Sequence, residues 1–421
     1  MTYPDSVRFL YSLGNETKVV KLGLERIQAL LHELGNPQDG FLSVHVAGTN
    51  GKGSTAAMIA AGLRAGGVRT GLYTSPHLIE PTERIQIDGH AVSEEDFTRA
   101  FDTVHRTAIR LIDSGGIDGH PTYFETVTAM AFLLFREAGV ERAVVEVGLG
   151  GRLDATNVIN PEICIIAPVD FDHEQWLGSS LEAIAGEKAG IIKPRVPVVV
   201  ASQHPEAMAA IRNRAAAAAA AVVALNEWRV ENLEMDARGS TYDAVRGNER
   251  IAVHCPLAGE HQVLNSLAAA VCLWKLGFGA AGIANAVWPG RLERVAERPE
   301  VILDGAHNPA GIAALAGYIR RFHAGRRIWL IYGAVRDKSL GEIAEMLSDV
   351  ASDVVLAPVD SPRAVRPEAL KPLFSHRNVR IGNRLEEAIG MVRASAGAGD
   401  AVFITGSLFL VGEARKILTP R

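Results

Sequence analysis

VHVAGTNGKGSTAAMIAAGL, residues 44–63, reads as an apolar strand, a glycine-dense turn and the first turns of a helix. Gly48, Gly51 and Gly53 fall within six residues around Lys52, whereas a plain strand-to-helix turn needs one glycine. The turn amides and the helix N-terminus would converge where a phosphate can sit, since both present N–H groups and the positive end of the helix dipole. Lys52 would reach the outer phosphates as a point charge, with Ser54 and Thr55 capping the helix and offering hydroxyls. The spacing is not GxxxxGK[ST], because Gly53 separates the lysine from the hydroxyl. A purely structural turn is the competing reading, and it explains neither the lysine nor the extra glycines. ATP is the expected nucleotide, cradled by Gly48, Thr49, Asn50, Gly51, Lys52, Gly53 and Ser54.

Around this segment, short β-rich runs alternate with longer helical patterns: FLSVHVAG (41–48), RTGLYTS (69–75), RAVVEVG (142–148), EICIIAPV (162–169) and VPVVVAS (196–202). The runs are apolar almost throughout, as strands buried on both faces must be. They predict an α/β fold whose P-loop ATPase domain is built on a mostly parallel sheet covered by helices. Several end in Gly, Ser or Asp, which places polar residues at the carboxyl edge of the sheet, where ligands bind. From about residue 225 the pattern changes to antiparallel strands turning at Gly247-Asn248, then to a helix over 262–276. A second βα series follows in EVILDGAH (300–307), RIWLIYGA (327–334), SDVVLAPV (352–359) and AVFITGS (401–407). The polar stretch 296–299 marks the expected domain boundary, giving domains 1–296 and 297–421. RAAAAAAAVVAL (214–225) reads as a plain helix on the propensity of alanine.

At 421 residues the chain is too long for one ordinary domain of roughly 100–200 residues. An apolar fraction of 48% with 22% charged residues is that of an ordered globular protein. A net charge of -5 without a Lys/Arg-rich block argues against a nucleic-acid partner. Cys164, Cys255 and Cys272 lie in apolar or Ala-rich settings without CxxC spacing, as buried thiols of a reducing compartment do. No basic region followed by an apolar run opens the chain, and no stretch reaches the roughly 20 apolar residues of a membrane span. The expectation is a cytoplasmic protein without membrane contact, and a monomer, since no long heptad pattern stands out.

A bound nucleotide calls for a cation, usually magnesium held by oxygen ligands. Three candidates lie at strand ends: Ser75 closes LYTS, Glu146 lies in VVEVG, and His173 follows IIAPVD. A glutamate in so apolar a run needs a cation or an internal ion pair. His173 alone would more often be structural, but it stands with Asp170 and Asp172 beyond a strand end. Leu181, Ile184, Ala185 and Lys188 fall at i, i+3, i+4 and i+7, so Lys188 projects from an apolar helix face. There it either snorkels to solvent or is buried and poised to lose its charge. In the second series, Asn308 reads as an N-cap and Pro309 as the first helical residue. Capping explains neither Asp304, which could accept from a ribose hydroxyl, nor His307.

VAGTNGKGS, YTSPHL followed by ERIQIDG, TYFE, EVGLGGRLDATN, DHEQWLG, EKAGIIKP, HQVLN, GRLE, LDGAHNPAG and ITGSLFLVGE occur in that order. Together they resemble the bacterial folylpolyglutamate synthase and dihydrofolate synthase family, a branch of the Mur ligase superfamily, over residues 20–415. The resemblance implies an ATPase domain followed by a smaller Rossmann-like C-terminal domain. It also implies ATP-driven ligation of L-glutamate to a pteroate or folate carboxyl through an acyl phosphate. Residue by residue, it implies Ser75, Glu146 and His173 as magnesium ligands and a carbamate on Lys188 that could hold a second magnesium. It sets Asn265 at the adenine, Arg291 and His307 at the phosphates and Asp304 at the ribose. Lys21, Leu22 and Gly23, Thr122, Tyr123, Phe124 and Glu125, and Leu153, Asp154 and Ala155 would meet the pterin. Lys52, His173 and Lys188 would be the catalytic set. Pro168-Val169-Asp170-Phe171 departs from the family's usual residues before Asp-His, so packing near His173 is expected to differ.

Two other functions fit parts of the pattern. One is a Mur-type ligase for another carboxylate such as a peptidoglycan precursor, against which SPHL, TYFE and GLGGRLDATN weigh. The other is a P-loop nucleotide-binding switch without amide chemistry.

Overall fold

The computed structural model describes residues 1–14, 23–336, 339–375 and 378–419 and divides into two compact units. The first comprises Met1–Leu233, Thr241–Cys255 and Leu264–Ala286; the second comprises Glu234–Ser240, Pro256–Val263 and Val287–Arg421.

The main sheet of the first unit contains β1 Leu42–Ala47, β2 Thr70–Tyr73, β3 Ile85–Ile87, β4 His90–Ala91, β5 Arg142–Glu146, β6 Ile163–Ile166, β7 Val198–Val200 and β8 Val222–Ala224. Among the described residues their order is β4-β3-β2-β5-β1-β6-β7-β8. β1 runs parallel to β5 and β6, and only the β3 and β4 edge is antiparallel. β2 and β5 lie on one side of β1, and β6 to β8 on the other. Strand order therefore reverses at β1, which makes the crevice beyond its carboxyl end the natural ligand site.

The helix Lys52–Ala65 leaves β1 and is buried on every face from Ser54 to Leu63. A helix apolar all round must lie inside the fold. Its small side chains allow that: a Cβ at Gly62 would collide with the Leu273 side chain. The helix Tyr123–Glu137 is similarly buried, and its Phe132 and Phe135 join Leu30, Leu31, Phe97 and Phe101 in one apolar cluster. Each such side chain contributes about 1.5–3 kcal/mol on leaving water.

β9 Arg229–Met235, β10 Ser240–Arg246 and β11 Glu249–Cys255 form a separate sheet ordered β11-β10-β9, with Gly247 at φ +57 in the turn. The helix Glu260–Lys275 follows. The second unit carries β12 Glu293–Glu297, β13 Glu300–Asp304, β14 Ile328–Tyr332, β15 Asp353–Leu356, β16 Val379–Ile381 and β17 Ala401–Thr405. Their order is β12-β13-β17-β14-β15-β16, parallel except for β12. Residues 296–299 lie in β12 and its turn into β13, within this unit.

The five expected strands of the first series are present, and so are the four of the second. The alanine run differs from its reading. Its helix, Pro205–Ala217, stops early, Ala219 takes φ +49, and Val222–Ala224 becomes β8. Two β-branched valines beside the open edge of β7 outweigh alanine's local preference, because the strand gains a full ladder of partners there. No helix among the described residues is long and apolar enough to cross a membrane. All three cysteines are buried thiols that form no disulfide among the described residues.

Candidate functional site

β1 runs into Gly48 at φ +147 and Gly51 at φ +86, backbone regions that favour glycine. A Cβ at Gly48 would lie 2.6 Å from the Ala167 Cβ, and one at Gly51 would strike the Asn265 carboxamide. Thr49 N donates to Pro168 O at 2.8 Å, and its hydroxyl donates to Asp170 O at 3.0 Å while accepting Asp170 N at 3.0 Å. These bonds clamp the turn to the end of β6. The helix begins at Lys52 with Gly51 as its cap, so Ser54 and Thr55 lie inside the first turn instead of capping it. The left-handed Gly51 turns the chain directly into the helix and leaves a side-chain cap no room. Lys52 Nζ donates to Thr49 O at 3.0 Å. Gly51→Ala should therefore distort the turn, because a left-handed non-glycine residue stores about 1–3 kcal/mol and its methyl meets Asn265. ATP titration should show affinity weakened about ten- to hundredfold; wild-type affinity would contradict the cradle.

Ser75 and Glu146 meet at the ends of β2 and β5. Ser75 N donates to a Glu146 carboxylate oxygen at 3.1 Å, and Glu146 is 4% exposed. A buried carboxylate beside a hydroxyl residue is a hard oxygen donor set that fits magnesium. His173 lies in the exposed segment after β6, at φ +50 and just before the short helix Glu174–Leu177, with Nε2 3.7 Å from Asp172 Oδ1. Among the described residues no three His, Cys, Asp or Glu side chains converge into a metal cluster.

The helix Leu181–Ala189 buries Leu181, Ile184, Ala185 and Lys188 together, so the apolar face holds. Lys188 is 4% exposed and does not snorkel. Its Nζ donates to Gly48 O at 2.9 Å, which ties this helix to the first residue of the glycine turn. Burial pushes its pKa down to about 7, assisted by the charge of Lys52 and opposed by Asp172 and Asp154. The helix is also locked to the Gly148–Asp154 turn: Arg152 N donates to Glu187 O at 2.8 Å, and its guanidinium pairs with the Glu187 carboxylate at 2.9 Å.

That turn adjoins the expected pterin residues. A Cβ at Gly148 would lie 2.5 Å from the Phe124 ring, so glycine allows the two segments to touch. Thr122 caps the helix Tyr123–Glu137, donating its N–H to Glu125 Oε2 at 2.7 Å and accepting from Glu125 N at 3.2 Å. Arg26 Nη1 reaches the same Glu125 oxygen at 3.2 Å. The Tyr123 ring lies parallel to that of Tyr11, with centroids 5.8 Å apart. Asp154 Oδ2 accepts Leu149 N at 2.8 Å and Oδ1 accepts Thr156 N at 3.0 Å, while burial pushes its pKa up to about 6. Leu153 and Ala155 flank it. Gly23, at φ +149, precedes the helix Glu25–Glu33, while Lys21 and Leu22 lie outside the described residues.

Asn265, expected at the adenine, is buried with its carboxamide over Gly51. In the second unit, Asp304 ends β13 and accepts Leu292 N at 2.9 Å and Ala306 N at 3.0 Å. Arg291 Nη1 lies 2.5 Å from where a Cβ of Gly305 would be, and His307 Nδ1 donates to Gly305 O at 2.8 Å. Asp304, Arg291 and His307 thus gather around Gly305. Asn308 caps the helix Pro309–Phe322 as expected. His45 and Thr156 carry hydrogen bonds into the Asp154 turn that the sequence reading left out. A histidine inside the largely apolar run FLSVHVAG was the available signal.

Two family models match the chain: the Mur ligase middle domain over residues 46–273 and the Mur ligase glutamate ligase domain over residues 290–408. A Bacillus subtilis protein named dihydrofolate synthase/folylpolyglutamate synthase is 36% identical over 420 residues, covering 95% of either chain. The folylpolyglutamate synthase of Mycobacterium tuberculosis, solved with ADP and AMPPCP, superposes with a TM-score of 0.91 at 34% identity, covering 100% of this chain and 99% of the other. The E. coli FolC structure with DHPP and ADP gives a TM-score of 0.87 at 30% identity, covering 98% of this chain and 97% of that one.

Proposed function

The chain belongs to the dihydrofolate synthase/folylpolyglutamate synthase family of Mur ligases, and from that membership we propose that it joins L-glutamate to 7,8-dihydropteroate, to the γ-carboxyl of reduced folates, or to both, using ATP. The observation that carries the reading is the buried Lys188: its amine bonds the phosphate turn at Gly48, and its helix is bound to the turn that ends in Asp154. The glycine turn and the turn that ends in Asp154 are thereby tied to one helix.

The acceptor carboxylate oxygen attacks the γ-phosphorus, the bond to ADP breaks, and an acyl phosphate forms. The glutamate amine then attacks the acyl carbon, loses a proton, and inorganic phosphate leaves. Both first-step reactants are anions, so the residues must cancel their repulsion and exclude water. The amides of Gly48 to Ser54 orient the phosphates, and Lys52, held near them by Thr49 O, offers its charge to the γ-phosphate. Ser75, Glu146 and His173 are proposed to hold magnesium, which would polarise the transferred phosphoryl group. Lys188, with a pKa near 7, has enough neutral amine to add carbon dioxide and release one proton, giving a carbamate suited to a second magnesium. Asn265, whose carboxamide lies over Gly51, is proposed to contact the adenine. Arg291 and His307 are proposed to serve the phosphates, with Asp304 fixing the backbone around them and keeping lone pairs for a ribose hydroxyl. Residues 122–125 and 153–155 are proposed to hold the pterin.

Incubation with Mg-ATP and glutamate, offering dihydropteroate and a tetrahydrofolate separately, should add one glutamyl mass to at least one acceptor. Phosphate release should require acceptor and glutamate together. Hydrolysis indifferent to the acceptor, with no mass gain, would overturn the reading.

A further inference from the structure

His45 lies in the middle of β1, fully buried, three residues before Gly48. Its Nε2 is 2.8 Å from the Thr156 hydroxyl, which donates to Asp154 Oδ1 at 2.5 Å. Thr156 is also fully buried. Because that hydroxyl has one proton and gives it to the carboxylate, it can only accept from the histidine, so His45 must be the Nε2–H tautomer. Its Nδ1 is accordingly the atom left buried without a partner; a bare ring acceptor is easier to bury than an unpaired N–H. Burial holds the His45 pKa down at about 3, so the ring is neutral and donates one hydrogen bond, in one direction.

The chain of bonds is therefore polar and ordered: β1, through His45, to Thr156, to Asp154, whose other oxygen fixes Leu149 N at 2.8 Å. It joins the strand that carries the phosphate turn to the loop proposed to hold the acceptor. Packing alone would place any apolar side chain at position 45, as at its cross-strand neighbours Val145 and Cys164. We infer that His45, acting through Thr156, is a positioning residue that orients Asp154 and the 149–156 turn for the acceptor, in register with the phosphate turn. This rests on the acceptor assignment proposed above.

Gln at position 45 can place an amide N–H near the imidazole Nε2, whereas Leu fills the space without a donor. His45→Leu should raise the KM for dihydropteroate or tetrahydrofolate about tenfold, the effect of one lost hydrogen bond to an anion-linked group. The KM for ATP should stay within about twofold, and His45→Gln should recover most of the loss. Thr156→Val should reproduce the His45→Leu split, Thr156→Ser should be mild, and His45→Leu/Thr156→Val should be no worse than the more affected single variant. Thermal unfolding of each variant keeps the test readable, since Thr156→Val is nearly isosteric and preserves packing if position 45 does not. Equal rises in both KM values, or Leu performing as well as Gln, would overturn the inference. Failure of the wild-type protein to glutamylate either acceptor would instead remove the functional reading beneath it.

Discussion

Lys188→Ala is expected to lower kcat by about 10³-fold, the upper range for removing one preorganised electrostatic group from a closed site. The lysine is buried, so its loss takes away more than a surface charge. The variant loses the bond to Gly48 O and, on the proposed chemistry, the anion that carbon dioxide makes of the amine. Small carboxylates such as formate or acetate should restore part of the rate by occupying the vacated volume with an oxygen anion. An amine whose pKa lies near 7 is half neutral at that pH, and only the neutral form reacts with carbon dioxide. Wild-type activity limited by bicarbonate should therefore rise with pH through about 7 and level off, instead of climbing toward the range of an exposed lysine. Full activity in the unrescued variant would refute the carbamate. Loss of activity with no rescue by any carboxylate would leave only the structural bond to Gly48.

Lys52→Ala should reduce kcat by about 10²–10³-fold while leaving the acceptor KM nearly unchanged. Lys52 opens the helix after Gly51 and bonds Thr49 O, so its ammonium is held within the turn that would surround the phosphates. A compact point charge suits that space, and Lys52→Arg should not rescue, because a planar guanidinium is larger and forks its donors. Stability should hardly move, since the replaced side chain leaves one backbone carbonyl to bond elsewhere. Phosphate release measured at saturating acceptor and glutamate provides the check; a variant within threefold of wild type would exclude Lys52 from phosphoryl transfer.

Much of the molecule is legible in its amino-acid sequence. The strand, triple-glycine turn and helix of residues 44–63 defined a nucleotide-binding α/β unit, because glycine's left-handed backbone and a lysine among turn amides have few other uses. Apolar strand runs located β1, β2, β5, β6 and β7, since doubly buried strands admit few polar residues. The i, i+3, i+4, i+7 spacing put Lys188 on an apolar face. The short strands β3, β4, β8 and β16 were not legible: three or two residues carry no periodicity, and β8 forms only because β7 offers it an edge. Gly51 in place of Ser54 as helix cap could not be foreseen either, since φ at a glycine is set by the chain on both sides.

Chain-local features, then, were determined by the sequence itself: the elements, the phosphate turn and the family motifs. Meetings between residues far apart in the chain were decided only by tertiary structure. Spacing alone left Lys188 equally free to snorkel; packing against Gly48 buried it and lowered its pKa. Ser75 met Glu146 because β2 and β5 are neighbours in the sheet. His45, a polar residue in a largely apolar strand, acquired its meaning only when Thr156 came within 2.8 Å. Burial and hydrogen-bond partners depend on which strands pair, and no local pattern along the chain records that choice.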